Sequence, residues 1–185
     1  MTDPNDRLYE SLLVLRCQTG DEAAFAELIE RYHPRLRLFL RRMLRDEHAS
    51  DDVLQDVWLD VYRAMGKLRD PGALAGWLYG IARNRAYGML RRRGGIRTVS
   101  LEAEDLADVL AEPEPDAGPG EAALVNASLE RLPHEQREVL LLRIIEGMSY
   151  DQIAAAVGCE VGTVRSRLHY GKRALRQKLE GNGTQ

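Results

Sequence analysis

The run SLEAEDLADVLAEPEPDAGPG, residues 100–120, divides this chain into two unlike halves. It carries three prolines and two glycines, and from Thr98 to Glu121 there are eight acidic and no basic residues. Such a stretch holds too little apolar surface to offset the entropy of ordering it. A structureless loop longer than about 15 residues is also uncommon inside one compact domain. The reading is a flexible acidic linker over 96–121, joining an N-terminal domain at 1–95 to a C-terminal domain at 122–185.

Both flanks are rich in helix formers, and neither shows strand-like alternation. Leu12, Leu13 and Leu15, then Phe25, Leu28, Ile29 and Tyr32, fit amphipathic helices, with Asp21 as an N-cap. Further helices are expected from about Pro34 to Leu44, from about Ala49 to Leu68, and from about Leu74 to Arg92. Val53, Val57, Leu59, Val61 and Met65 are core candidates in the third, and Trp77, Leu78, Ile81, Ala82 and Leu90 in the fourth. Asp70-Pro71-Gly72 and Gly94-Gly95 punctuate the chain between and after these segments. Past the linker, a helix over 133–146 begins at Pro133, with Val139, Leu140, Leu142, Ile144 and Ile145 apolar. Ser149 and Gln152 have capping-box spacing. Gly158 is placed to turn the chain before a longer helix starts near Val161. The fold class is all-α: two small helical domains, the second containing a helix-turn-helix.

Charge is strongly segregated. Formal net charge is −3, yet Arg83 to Arg97 holds six basic and no acidic residues, as does Val161 to Lys178. In the last helix Val164, Leu168, Gly171, Leu175 and Leu179 form a core stripe. The opposite side carries a row of Arg165, His169, Lys172 and Arg176. A helix whose early turns are rich in Arg, Ser and His suits the DNA major groove. Basic residues farther along suit phosphates. The stretch GWLYGIARNRAYGMLRRR interleaves Trp77, Tyr79 and Tyr87 with arginines, as binding to unpaired bases requires. Asn84 can hydrogen-bond the edge of an extruded base.

Other classes fare worse. No apolar run reaches the roughly 18 residues of a membrane helix, and the acidic start lacks signal-peptide features, so a cytoplasmic location is expected. Cys17 and Cys159 make neither a disulfide framework nor a zinc pattern, and four scattered histidines form no metal motif. No nucleophile–base pair or phosphate loop is visible. The expectation is a non-enzyme without metal, cofactor or small-molecule substrate. A stand-alone helix-turn-helix regulator, or a protein-interaction module with an incidental basic helix, are the competing readings.

Three motifs in order carry a resemblance. DDVLQDVWLDVY (51–62), GWLYGIARNRAYGMLRRR (76–93) and LPHEQREVLLLRIIEGMSYDQIAAAVGCEVGTVRSRLHYGKRAL (132–175) together resemble bacterial RNA polymerase sigma factors of the sigma-70 family. The length and spacing are those of its small extracytoplasmic-function (ECF) group. The resemblance implies that Asp52, Leu54, Gln55, Asp56 and Trp58 bind core RNA polymerase. It implies that Leu68, Arg69, Trp77, Arg83, Asn84, Tyr87, Arg91 and Arg92 recognise and melt the minus-10 element. Thr163, Arg165, Ser166, Arg167, His169, Tyr170, Lys172 and Arg173 would contact minus-35 DNA. An anti-sigma factor is a further implied partner. The chain departs from the common family pattern at Leu68, Gly88, Glu160 and Tyr170-Gly171.

Overall fold

The computed structural model describes residues 4–94, 128–129 and 131–181, and their regular structure is entirely helical. The whole of the expected linker, 96–121, and the side chain of Leu179 lie outside the described residues. The N-terminal half comprises α1 (Pro4–Gln18), α2 (Glu22–Leu44), α3 (Glu47–Ala64) and α4 (Leu74–Arg92). Short 3-10 turns at Met65–Lys67 and Pro71–Ala73 link α3 to α4. The C-terminal half comprises α5 (His134–Glu146), α6 (Tyr150–Val157) and α7 (Val161–Gly181).

Side-chain caps fix the helix starts. Asp21 accepts the Ala24 N–H at 3.0 Å to open α2, and Asp46 accepts the Ala49 N–H at 3.0 Å to open α3. Pro34 does not begin a new helix. It lies inside α2, which runs unbroken for 23 residues. An interior proline costs a hydrogen bond. Here Leu28 and Tyr32 before it and Leu36, Phe39, Leu40 and Met43 after it form one buried stripe, so packing holds both halves of the helix on one axis. The third helix starts two residues earlier than expected, at its Asp46 cap, and tightens to 3-10 geometry from Met65.

In the C-terminal half, Ser149 and Gln152 form a reciprocal capping box at the start of α6. Gly147 and Gly158 adopt left-handed φ of 61° and 69°, ending α5 and α6. Arg137 is buried, and its guanidinium donates to the carbonyls of Leu129 at 2.9 Å and Leu132 at 2.7 Å, tying α5 to the segment before it. Gly171 faces α5 closely: a Cβ there would lie 2.7 Å from Leu140 Cδ1. Its place in the α7 stripe is therefore a matter of clearance.

Some expected core positions point outward. Leu12, Leu15, Leu59 and Ile144 are about half exposed, while Leu13, Val14, Val57 and Leu140 take the inward places beside them. α1 buries a narrow strip only, because it packs on one side of the bundle.

The two halves pack together. α4 lies against α6 and α2 against α5, and one hydrophobic core runs through both, from Leu13 to Leu175. Cys17 and Cys159 are half-buried, and burial pushes both thiols up, away from reactive thiolates.

The caps carry a pH signature. The Asp46 carboxyl is held below its ordinary range, first by the Ala49 N–H and then by Arg93. With a folded value below the unfolded one, its stabilisation is complete above the ordinary carboxylate range and is lost as pH falls through the folded value. Asp46→Ala is therefore expected to lower urea stability clearly at pH ~7 and to differ little from the parent chain near pH ~2, as measured by far-ultraviolet circular dichroism.

Candidate nucleic-acid interface

The turn between α3 and α4 is anchored from α1. Gln18 donates through Nε2 to the carbonyl oxygens of Met65 at 3.1 Å and Leu68 at 2.8 Å. Leu68 is buried, and Asp70 Oδ1 accepts the Gly72 N–H at 2.9 Å. The turn thus has a fixed path, with Arg69 exposed on it. α4 follows directly. Leu78, Tyr79 and Ala82 face the core, Trp77 is half-buried, and Asn84 is exposed.

Leu68, Trp77, Arg83 and Asn84 converge on one groove of about 530 Å³, whose far wall is Gln152 and Ala155–Val157 of α6 with the Gly158 cap. Arg69, Tyr87, Arg91 and Arg92 do not line it. Arg91 and Arg92 are exposed in the last turn of α4. Tyr87 stacks beneath the Arg83 guanidinium, 4.6 Å from carbon to ring centre.

Arg83 does not stand free toward solvent. Its Nε donates at 2.8 Å to Glu138 of α5, a carboxylate with no solvent exposure. Arg167 of α7 reaches the same carboxylate at 3.4 Å, so this residue, which the resemblance assigns to minus-35 DNA, is turned inward. Burial pushes the Glu138 carboxyl above its ordinary range, against the opposing pull of Arg83 and Arg167. Eight residues along α5, Glu146 is paired with Arg35 of α2 and faces Tyr79, and burial raises its carboxyl too. The Tyr79 and Tyr87 hydroxyls are both raised by burial, then by these carboxylates.

On α7, Thr163, Arg165, Lys172 and Arg173 are exposed, and Ser166, His169 and Tyr170 are half-exposed. Ser166 donates to the Gly162 carbonyl at 3.2 Å, and the His169 and Tyr170 rings meet edge-to-face at 5.4 Å. The buried stripe of Val164, Leu168, Gly171 and Leu175 fixes which side faces out.

On α3 the residues sort by face. Asp52 and Gln55 are exposed and Asp56 half-exposed, with Arg85 reaching Asp56 at 3.3 Å and Asp60 at 2.5 Å. Leu54 and Trp58 lie in the core instead. The outward row continues through Leu59 and Tyr62, which are 52% and 69% exposed. Tyr62 meets Phe25 edge-to-face at 5.3 Å. Period-3.6 spacing from Asp52 could have found both. Gln18, Glu138 and Glu146 carried no local signal.

Among the described residues, no group of three His, Cys, Asp or Glu could hold a metal ion, and no helix is long and apolar enough to cross a membrane. The patterns for Sigma-70 region 2 and for Sigma-70, region 4 match residues 28–96 and 123–175, the two halves in order. The chain belongs to the sigma-70 family. Within it, the chain is an ECF sigma factor. It is 38% identical to ECF RNA polymerase sigma factor SigE of Mycolicibacterium smegmatis, over 87% of this chain and 65% of that protein. It is 34% identical to RNA polymerase sigma-H factor of Pseudomonas aeruginosa, over 91% of this chain and 92% of that one. The sigma factor RpoE of Bartonella quintana, solved in complex with the anti-sigma factor NepR, superposes with a TM-score of 0.67 at 25% identity. That match covers 84% of this chain and 96% of that one. Directing transcription to promoters is the function that ECF membership carries.

The anchored turn of this sigma factor is directly testable. Gln18→Leu leaves the Met65 and Leu68 carbonyls without their side-chain donor. It should cost about 1–2 kcal/mol of stability in urea denaturation and speed amide exchange over Leu68–Asp70.

Proposed function

We propose that this chain is a dissociable, non-catalytic specificity subunit of DNA-directed RNA polymerase that works in the cytoplasm. Residues 1–95 bind core polymerase and open the minus-10 region, 122–185 hold minus-35 duplex DNA, and 96–121 join them. The observation that carries this reading is the succession of region 2 and region 4 matches on two helical units with distinct surfaces. One is acidic and apolar, on α3; the other is basic, on α7.

Each part follows from side-chain chemistry. Asp52, Gln55, Leu59 and Tyr62 give α3 an exposed row of carboxylate, amide and apolar groups suited to a basic, partly apolar helical partner. Leu54 and Trp58, being buried, set the orientation of that row rather than touching the partner. Leu68, Trp77 and Asn84 surround a groove where an unstacked base can be held by aromatic contact and amide hydrogen bonds. Arg69, Arg91 and Arg92 supply cations along the same half for the strand's phosphates. Arg165, Ser166, His169 and Tyr170 face the major groove, and Thr163, Lys172 and Arg173 the flanking phosphates. Arg83, Tyr87 and Arg167 join the DNA-facing set only when released from Glu138. The net charge of −3 suits a factor that binds free duplex weakly and reaches promoters on the polymerase. An anti-sigma factor is a fitting regulator, since RpoE of Bartonella quintana was solved with one.

Co-elution of the full chain with bacterial core RNA polymerase tests the reading. Stoichiometric co-elution is expected for the parent chain and for Arg165→Glu. It should be lost in Asp52→Arg/Gln55→Ala and in Leu59→Asp/Tyr62→Ala, whose thermal stability should stay within about 0.5 kcal/mol per site of the parent. Arg165→Glu should lose promoter-directed initiation instead. A parent chain that elutes apart from core, or tight palindromic duplex binding without polymerase, would overturn the proposal.

A further inference from the structure

Resting on that functional reading, we propose that Gln18, the last residue of α1, is a positioning residue for base selection. By clamping two carbonyls of the turn between α3 and α4, it sets which base the groove accepts without touching DNA itself.

The clamp uses both hydrogens of one amide nitrogen. Gln18 Nε2 donates to the Met65 carbonyl at 3.1 Å and to the Leu68 carbonyl at 2.8 Å, both bonds being partly shielded from water. Its base is firm. Leu13 and Val14 are buried, and Gln18 follows Val14 by one helical turn, so its side chain leaves α1 beside the face that packs on the bundle. Gly20, at φ 85°, and the Asp21 cap then carry the chain straight into α2. Higher up, Tyr32 donates to Glu10 at 2.8 Å and ties α1 to α2 independently of the turn.

The groove has one wall on a helix and one on this turn. Trp77 and Asn84 stand on α4, whose backbone ladder holds them in place. Leu68 lines the groove from a turn made of two three-residue 3-10 segments, and 3-10 hydrogen bonds have poorer geometry than those of an α-helix. Within the turn, Leu68 N–H donates to the Met65 carbonyl at 3.2 Å, and Asp70 accepts the Gly72 N–H through its side chain and the Ala73 N–H through its carbonyl. Gln18 holds the Leu68 carbonyl on the other side of Arg69, so the turn is fixed before and after that residue. A recognition site needs its groups within about 0.5 Å of the productive geometry. Removing the amide donor frees the Leu68 wall while leaving every group that meets DNA in the chain. The loss therefore falls on the choice of base. Overall attraction, which the arginines supply through phosphates, is spared.

The test uses the full chain bound to core RNA polymerase and a pool of single-stranded DNA with a randomised central window. Bound strands are sequenced for base enrichment at the most selective position, and total affinity for the pool is measured beside it. Gln18→Met keeps the length of the side chain and removes the donor. Its selectivity should fall about tenfold, equivalent to about 1.4 kcal/mol, with total affinity within about twofold of the parent. Gln18→Glu, which turns acceptors on both carbonyls, should lose at least as much. Gln18→Lys, whose ammonium can donate to both, should recover most of the selectivity. Tyr32→Phe loosens α1 without touching the turn and should select bases as the parent does. Thermal unfolding verifies that each variant is folded, and if Gln18→Met is not, the Glu and Lys substitutions carry the same comparison. Parent-like selectivity without the donor would overturn the proposal. So would equal losses in Gln18→Met and Tyr32→Phe, which would mark general loosening of α1, or a Lys variant no better than Met. A parent complex that enriches no base would instead overturn the initiation-factor reading, so the two failures are distinct.

Discussion

A carboxylate without solvent contact, on Glu138 of α5, organises much of this molecule. Arg83 approaches it from α4 and Arg167 from α7, so one buried charge engages helices from both halves of the chain. Stripped of water, such a group tolerates few arrangements: its oxygens must meet donors, and its charge must meet cations. The positions of α4 and α7 relative to α5 follow from that demand. At the other end of α5, Glu146 makes a second, single-cation link, to Arg35 of α2. Apolar packing supplies adhesion between the halves, and the two carboxylates supply register.

Features governed by near neighbours were legible in the sequence. The capping box at Ser149 and Gln152 spans three residues, and the Asp21 cap and the Gly158 turn are equally local. The limits of α4 at Leu74 and Arg92 were also legible, since Asp70-Pro71-Gly72 precedes them and glycine follows. Features governed by tertiary packing were not. Pro34 looks like a boundary until the buried row from Leu28 to Met43 is seen to hold α2 straight through it. The Arg83–Glu138 pair joins residues 55 positions apart, and no periodicity points from one to the other.

The candidate surfaces divide along the same line. The outward row of α7 was readable because its buried stripe is regular, with Val164, Leu168 and Leu175 all turned inward. Family resemblance named Leu54 and Trp58 without saying which way they face. Only the fold separates them from Asp52, Gln55, Leu59 and Tyr62 on the opposite side of α3. Arg83 and Arg167 are chemically apt for DNA, yet their guanidiniums are engaged internally, and that engagement depends on a partner whose burial is a property of the whole assembly.

The brevity of α6 has a consequence of its own. Eight residues make barely two turns, well short of the length at which an isolated helix persists in water. It survives on its capping box, its terminal glycine and the neighbours on its flanks. One of those flanks is α4, so the order of the shortest helix in the C-terminal half depends on packing against the N-terminal half.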